Sequence, residues 1–448
     1  MSELTDVFGN DAFKQWSKYP TYKSSGVEWL GDIPEHWEVK RLKYCCLITM
    51  GQSPNSDDCN LEGVGIPFLQ GNAEFQEKYP IPKQFCKTPK KIAKEGDFLI
   101  SVRAPVGALN IANQDYSIGR GLSSIRVNAQ LIVNIFFWYS IQEFKKELEA
   151  CCTGSTYEAV SISDIANIHL TLLPLSEQKA IAHFLDEKTN KIDKLIGKKK
   201  RFIELLKEKR VALISHAVTK GLNPDVAMKN SGVEWLGDIP ESWEVKKLKW
   251  LVSKIGSGKT PKGGAEVYCD YGIMFLRSQN IHFDKLRLED VVYIDNYIDQ
   301  EMASTRVFPD DVLLNITGAS LGRCNVIPKN FPSANVNQHV CIIRPITKLI
   351  VPKFLNLFMS SNSMQKQIFT LEDGVSREGL TFACISNLKL ALPTDIQEQK
   401  EIALFLDKET EKIDQLISKT QTSIERLKEY RTALISAAVT GKIDVRRE

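Results

Sequence analysis

Charge of one sign is not in excess in this chain. Of 448 residues, 58 are Lys or Arg and 55 are Asp or Glu, a formal net charge of +3. A chain so balanced is not a general polyanion binder, so any nucleic-acid role must come from local patches. Long apolar runs are also missing. The longest cluster, LIVNIFFWY at Leu131–Tyr139, is far shorter than a bilayer span and reads as a buried helix or strand. The N-terminal MSELTDVFGNDAFKQW has no basic stretch followed by an apolar one, and no signal peptide is expected. The ten cysteines include two adjacent pairs, Cys45-Cys46 and Cys151-Cys152, and none has C-x-x-C spacing. They read as reduced thiols of a cytoplasmic protein without a zinc site.

Catalytic patterns are scarce as well. GSGKTPKGG at Gly256–Gly264 has the look of a phosphate loop, but the Walker pattern needs a glycine five residues before Gly258, where Ser253 stands. Pro261 also disfavours the helix that should start there. A glycine-rich loop that touches a DNA phosphate through backbone N–H groups is the better reading. The six histidines (His36, His169, His183, His216, His282, His339) show no ligand spacing; His183 and His216 fall on the surface or interface of long helices. No Asn-Pro-Pro-aromatic tetrapeptide of an adenine methyltransferase occurs, and Asn223-Pro224 sits in a linker. The Pro-Asp pairs at Pro224 and Pro309 lack the following acid-x-Lys of a metal nuclease. No catalytic, cofactor or metal site is expected in this chain.

What the sequence does have is a repeat. SGVEWLGDIPEHWEVKRLKY at Ser25–Tyr44 returns as SGVEWLGDIPESWEVKKLKW at Ser231–Trp250, with three differences. Pro174–Thr219 likewise returns as Pro393–Thr440, sharing EQK, IA, FLD, KID, LI, LK, ALIS and AVT. The order is globular, helical, globular, helical. The boundaries fall at residues 1–172, 173–221, 222–391 and 392–448, and each globular part is of ordinary domain size.

The two later segments read as long helices. One apolar row holds Ile181, Ile192, Ile203 and Ile214, and a second holds Phe184, Leu195, Leu206 and Ala217. The copy has Ile402, Ile413, Ile424 and Ile435 with Phe405, Leu416, Leu427 and Ala438. The step of eleven residues corresponds to about 3.67 residues per turn and a nearly straight pair. Ser176 is the expected N-cap of the first helix. Asp395 with Glu398 has the pattern of a capping box for the second, and Gly221 and Gly441 are the expected stops. Two like stripes on one chain are best buried against each other, antiparallel, in a coiled-coil-like rod. The KKKR run at Lys198–Arg201 reads as a solvated face.

The globular parts read as mixed α/β, with short apolar runs bounded by Gly, Pro and Asn, as in GIPFLQGN, GDFLISVRAPVG, YGIMFLRSQN and DDVLLNITGAS. Phe68-Leu69 aligns with Phe275-Leu276, Asp97–Leu99 with Asp311–Leu313, and Arg120 with Gln338. Apolar positions agree between the copies while polar loop positions disagree: one fold, two different surfaces. The fold class is therefore α+β, two pseudo-repeated mixed α/β domains separated by two long antiparallel helices.

The layout resembles, over nearly the whole chain, the specificity subunit of a Type I restriction–modification system, usually called HsdS. The repeated SGVEWLGDIPEHW carries the resemblance, together with the Gly51-Gln52-Ser53-Pro54 and Gly258-Lys259-Thr260-Pro261 turns, RAPVG at Arg103–Gly107, and the PLSEQKAIAHFLD and IQEQKEIALFLD pair with their ALIS-x-AVT endings. The resemblance implies target-recognition domains that each read half of a bipartite duplex DNA site, helices that set the spacer, and a chain with no catalysis of its own. It also implies two methyltransferase subunits and further translocase-nuclease subunits as partners, which would hold S-adenosylmethionine, ATP and magnesium. The expected DNA-facing residues are Gln70, Asn72, Ser101, Arg103 and Arg120 in the first domain. In the second they are Lys259, Thr260, Arg277, Ser278, Asn280, Asn315, Thr317, Asn337, Gln338 and His339. Arg103 and Arg277 lead, because Arg on guanine is the commonest specific contact. Many of the others are equally suited to building turns. The alternative is a coiled-coil adaptor that assembles proteins without reading DNA.

Overall fold

The structure, a computed structural model, describes residues 16–144, 147–148, 159–373 and 379–446; Cys151 and Cys152 lie outside the described residues. The chain forms two compact units, residues 1–198 with 422–448, and residues 199–421. The division runs through both long helices, α1 (Leu175–Lys220) and α2 (Ile396–Val439). Each unit thus holds one globular part, the beginning of one long helix and the end of the other. Among the described residues no helix is long and apolar enough to cross a membrane.

The apolar runs become strands. In the first unit these are β1 (Cys46–Met50), β2 (Ile66–Leu69), β3 (Phe98–Ser101), β4 (Tyr116–Ile118) and β5 (Leu122–Val127). In the second they are β6 (Val252–Ser257), β7 (Ile273–Leu276), β8 (Val312–Asn315), β9 (Ala334–Val336) and β10 (Val340–Pro345). β3 and β8 are buried along their whole length, which is why FLIS and VLLN show no polar alternation. Antiparallel β5 lies between β1 and β3, as β10 lies between β6 and β8. A second sheet in each unit contains a parallel pair, β2 with β4 and β7 with β9. The registers match across the repeat. Leu69 faces Ile118 as Leu276 faces Val336, and Ser101 faces Leu122 as Asn315 faces Val340. The run at Leu131–Tyr139 contributes to a buried helix, Asn134–Ile141.

The repeated opening motif seats the ends of the long helices. Trp37 is fully buried, and its indole Nε1–H donates to Glu177 Oε1 at 3.1 Å, in the first turn of α1. Tyr19 Oη–H donates to the same carboxylate at 2.7 Å. Against the same indole lies Gly441, just past α2: a Cβ there would come within 3.1 Å of Trp37 and 2.4 Å of Pro34. Lys442 Nζ donates to the carbonyls of Leu30 and Asp32 in the motif. The second unit repeats this with the helices exchanged. Trp243 donates to Glu398 of α2 at 3.0 Å, Gly221 after α1 lies beside its ring, and Lys220 Nζ donates to the carbonyls of Leu236 and Asp238. The next residue is matched too. Gln178 Oε1 accepts from Val133 N–H at 2.8 Å, and Gln399 Oε1 accepts from Val351 N–H at 2.9 Å.

These seats fix the helix direction inside each unit. In the first, the start of α1 and the end of α2 meet at Trp37, and farther along Arg431 pairs with Asp193 at 3.0 Å. In the second, Arg210 pairs with the equivalent Asp414 at 3.4 Å. Both pairings are antiparallel, as the duplicated stripes require.

Several details differ from the sequence-based expectation. Ser176 does not cap α1; the carbonyl of Pro174 accepts from Glu177 and Gln178 N–H one turn in. Asp395 does cap α2, accepting from Gln397 N–H at 2.8 Å. Glu398, however, turns to Trp243 instead of closing a capping box. Gly221 and Gly441 end their helices at φ of +79° and +72°, a conformation that costs other residues their Cβ clearance. The leading apolar row is buried throughout: Ile181, Ile192, Ile203 and Ile214, then Ile402, Ile413, Ile424 and Ile435. In the second row Phe184, Leu206, Ala217 and Ala438 are buried and Leu427 is half-buried, while Leu195, Phe405 and Leu416 are exposed. Leu185, Ile196 and Leu406 are buried instead. The geometry explains the substitution. At about 98° per residue, a step of four lands roughly 33° from the leading row, whereas a step of three lands roughly 65° away. Phe184 packs edge-on against Trp16, and Ile214, Ala217, Val218, Ile402, Ala403 and Leu406 join the second unit's globular core. The helix ends therefore pack on a domain as well as on each other.

The described cysteines are free thiols, and burial controls their chemistry. Cys46, with Cys45 beside it, and Cys341 are each pushed up to about 12 by desolvation. At pH 8 only about one such thiol in ten thousand is ionised. Iodoacetamide mass mapping of the folded protein is therefore expected to leave the fully buried Cys341 unlabelled, and unfolding in urea to expose it. Rapid labelling in the native state would contradict the burial.

Candidate nucleic-acid interface

The site in each unit is built where the chain crosses from one sheet to the other. In the first unit β4 ends at Ile118, turns through Gly119-Arg120-Gly121 and enters β5. Five backbone bonds hold this tip: Gln52 to Ile118, Gly119 to Leu69, Gly51 to Leu122, Leu122 to Gly119, and Val102 to Gly121. The second unit has the same five, in the same order: Lys259 to Val336, Asn337 to Leu276, Gly258 to Val340, Val340 to Asn337, and Ile316 to His339. The approach is close enough to require glycine. A Cβ on Gly51 would lie 2.1 Å from the carbonyl oxygen of Gly119, and one on Gly258 would lie 1.8 Å from that of Val336. One backbone frame thus presents two sets of side chains.

In the first frame Arg120 and Arg103 are exposed. Ser53 Oγ braces the tip, accepting from Arg120 N–H and from Gln70 Nε2, each at 3.4 Å. Gln70 is exposed and Asn72 half-buried at the start of a short turn. Ser101 does not face outward, contrary to expectation. It is buried, its hydroxyl donating to Pro105 O at 2.7 Å and accepting from Ala108 N–H at 2.8 Å, which shapes the turn that carries Arg103.

In the second frame the polar side chains form a chain. Thr260 Oγ1 donates to Gln338 Oε1. Gln338 Nε2 lies 3.0 Å from His339 Nε2, and His339 Nδ1 lies 2.7 Å from Thr317 Oγ1. An amide nitrogen can only donate, so His339 Nε2 accepts and Nδ1–H donates to Thr317. Ser278, Gln279, Thr317, Ser320, Arg323 and His339 line a shallow concavity of about 360 Å³ beside this chain.

Other expected readers are structural. Asn280 is buried, accepting from Arg277 N–H and donating to Arg287 O, each at 2.8 Å. Asn315 is buried and donates to Ser278 O at 2.8 Å. Asn337 is buried and accepts from His339 N–H at 3.2 Å. Arg277 is half-buried, with Nη2 donating to Asp290 O at 2.7 Å and its guanidinium carbon 5.9 Å from the centroid of the Tyr268 ring, so the side chain is tied to its own unit. The Gly256–Gly264 loop does not offer the expected N–H cradle either, because Gly258 and Lys259 N–H bond to Val340 and Val336 carbonyls; Lys259 itself is exposed. The sequence reading missed Ser53, Gln279 and Arg323. Ser53 had a signal, since it aligns with Thr260 in the duplicated Gly-x-Ser/Thr-Pro turn; Arg323 had none, because its place depends on the fold. Among the described residues no cluster of His, Cys, Asp or Glu could hold a metal ion.

Comparison with known proteins matches residues 34–205 and 240–426 to the model of the Type I restriction modification DNA specificity domain. One relative, a putative type I restriction enzyme MjaX specificity subunit from Methanocaldococcus jannaschii, is 43% identical over 199 residues, 43% of this chain and 46% of that protein. The match thus spans about half of that relative's length. The MjaVIII specificity subunit of the same organism is 26% identical over 92% of this chain and 94% of its own. The EcoBI specificity subunit of Escherichia coli is 24% identical over 93% and 88%. A solved structure from work on complex assembly and conformational transition of the type I R-M system is similar at a TM-score of 0.68. It covers 91% of this chain and 98% of its own at 16% identity, a likeness of fold.

Proposed function

The chain belongs to the Type I restriction modification DNA specificity family, whose domain it carries twice, and from that premise we propose how it reads DNA. Each unit places one sheet-crossing tip on one half of a bipartite duplex site. The observation that carries this is the identical set of five backbone bonds under different side chains. A shared frame keeps the approach constant, while base-edge contacts from the tips supply sequence. An adaptor that never reads DNA leaves that divergence unexplained. The length of the two helices sets the number of unread base pairs between the halves. The chain is the specificity component of a complex in which two methyltransferase subunits and translocase-nuclease subunits supply S-adenosylmethionine, ATP and magnesium chemistry, in the cytoplasm. By itself it neither methylates nor cuts.

Arg103 gives the direct test. It is exposed at the end of β3 in the first unit. Arg103→Ala is expected to relax sequence preference in one half-site only, weakening discrimination there by about 1–3 kcal/mol. The measurement is a selection of random duplexes by the assembled complex, with this chain alone, assayed for methyl transfer and cleavage, as the control. Relaxation of both halves, or activity of the isolated chain, would count against the reading.

A further inference from the structure

Arg120 and Gln338 occupy the same point of the two frames: each is the middle residue of the tip, between residues whose backbone bonds match one for one. Both are exposed. Resting on the reading of the units as DNA readers, we infer that this tip residue selects a base pair in each half-site, a G·C pair through Arg120 and an A·T pair through Gln338.

The hydrogen-bonding capacity of each side chain leads to this assignment. Arg120 stands between Gly119 and Gly121, and a Cβ on either glycine would come within 2.9 Å of the Gln70 carbonyl oxygen. The two residues flanking Arg120 thus carry no side chain, and the guanidinium offers donors only. Two parallel N–H donors match the O6 and N7 acceptors that guanine shows in the major groove. Gln338 is different. A glutamine amide has two N–H groups and two lone pairs. One lone pair accepts from Thr260 and one N–H donates to His339. What remains is one N–H and one lone pair, the combination that adenine meets with N7 and its N6 amino group. If the amide were turned over, Thr260 and the other His339 tautomer would again take one donor and one acceptor position, and the free edge would still be one of each. Thr260 and His339 are positioning residues: they hold the amide plane, as Ser53 holds the Arg120 backbone. His339 is held in turn by Thr317 at 2.7 Å.

The experiment exchanges the two side chains in the full chain assembled with its partner subunits and selects bound sequences from a random duplex pool. The unaltered complex is expected to choose a G·C pair in one half and an A·T pair in the other at the positions these residues read. Arg120→Gln is expected to lower the G·C preference in the first half on the order of 10- to 100-fold and to leave the second half unchanged. Gln338→Arg is expected to shift the second half alone toward G·C. Arg120→Ala, which needs no new contact, is expected to erase the preference at that one pair. His339→Ala, which frees one side of the amide, is expected to weaken the A·T preference less than Gln338→Ala. A two-part motif in which none of these changes alters a base preference would overturn the inference while leaving the two-reader function standing. Selection of no two-part motif by the unaltered complex would overturn both.

Discussion

Trp243→Ala is expected to loosen both long helices in the second unit and neither in the first. The indole is fully buried in the unit's main core and meets the Phe354 ring edge-on at 6.4 Å between centroids. Truncation of a buried aromatic costs about 3–5 kcal/mol. The change also leaves Glu398 without its indole donor at the foot of α2 and opens a void beside Gly221 at the end of α1. Hydrogen exchange followed by mass spectrometry should therefore show lost protection near residues 214–220 and 396–406, with 175–185 and 433–441 unchanged. Trp37→Ala should give the mirror result, through the lost donor to Glu177 and the void beside Gly441. Trp243→Phe keeps most of the ring and removes the N–H, so it is expected to cost less, about 1–3 kcal/mol for the carboxylate bond. Equal loosening of both units by either alanine change would show that the motif does not work as a local seat.

The repeated motif was legible as a repeat, but its purpose was not. Sequence spacing paired Trp37 with Trp243 and Glu177 with Glu398. It could not show that each tryptophan holds the start of one helix and the end of the other, because those contacts join residues more than a hundred positions apart. Helix identity and the leading apolar row followed from an eleven-residue period. The second row did not, since steps of three and four are both apolar here and only the partner surface chooses between them. Strand positions were legible where burial on both faces left unbroken apolar runs, as in β3 and β8. Among the residues expected to face DNA, Gln70, Arg103, Arg120, Lys259, Thr260 and Gln338 are exposed. Ser101, Asn280 and Asn315 are buried because short polar side chains serve turns as readily as ligands, and a single sequence carries no mark that separates the two uses.

Arg344→Ala is the second large effect expected, and it tests the frame beneath the tip proposed to read DNA. Asp311 is fully buried at the entry to β8, where one oxygen accepts from Phe308 N–H at 2.8 Å. Arg344 on β10 grips the carboxylate with two bonds, Nε and Nη2, each at 2.8 Å. The first unit repeats the pair: Asp97 caps its turn by accepting from Lys94 N–H at 2.8 Å and receives Arg126 at 2.6 and 2.9 Å. An ion pair of this kind contributes little compared with a well-packed apolar pair, yet removing one partner strands a buried charge at a cost of about 3–5 kcal/mol. Arg344→Ala does that, since the carboxylate stays in place without its guanidinium. The strands it would loosen, β8 and β10, are those that position Thr317 and His339. The expected result is lower resistance of the second unit to urea, together with loss of sequence selection in one half-site. Arg126→Ala should produce the same loss in the other half. Asp311→Asn offers a second measurement, because the amide keeps an oxygen for Phe308 N–H and removes the buried charge. Combined with Arg344→Ala, it is expected to recover part of the stability lost by Arg344→Ala alone. If the double change were no more stable than Arg344→Ala, the stranded carboxylate would not be the cause of the loss, and the destabilisation would point to the lost stacking of the guanidinium on Phe308, whose ring centroid lies 4.3 Å from the guanidinium carbon.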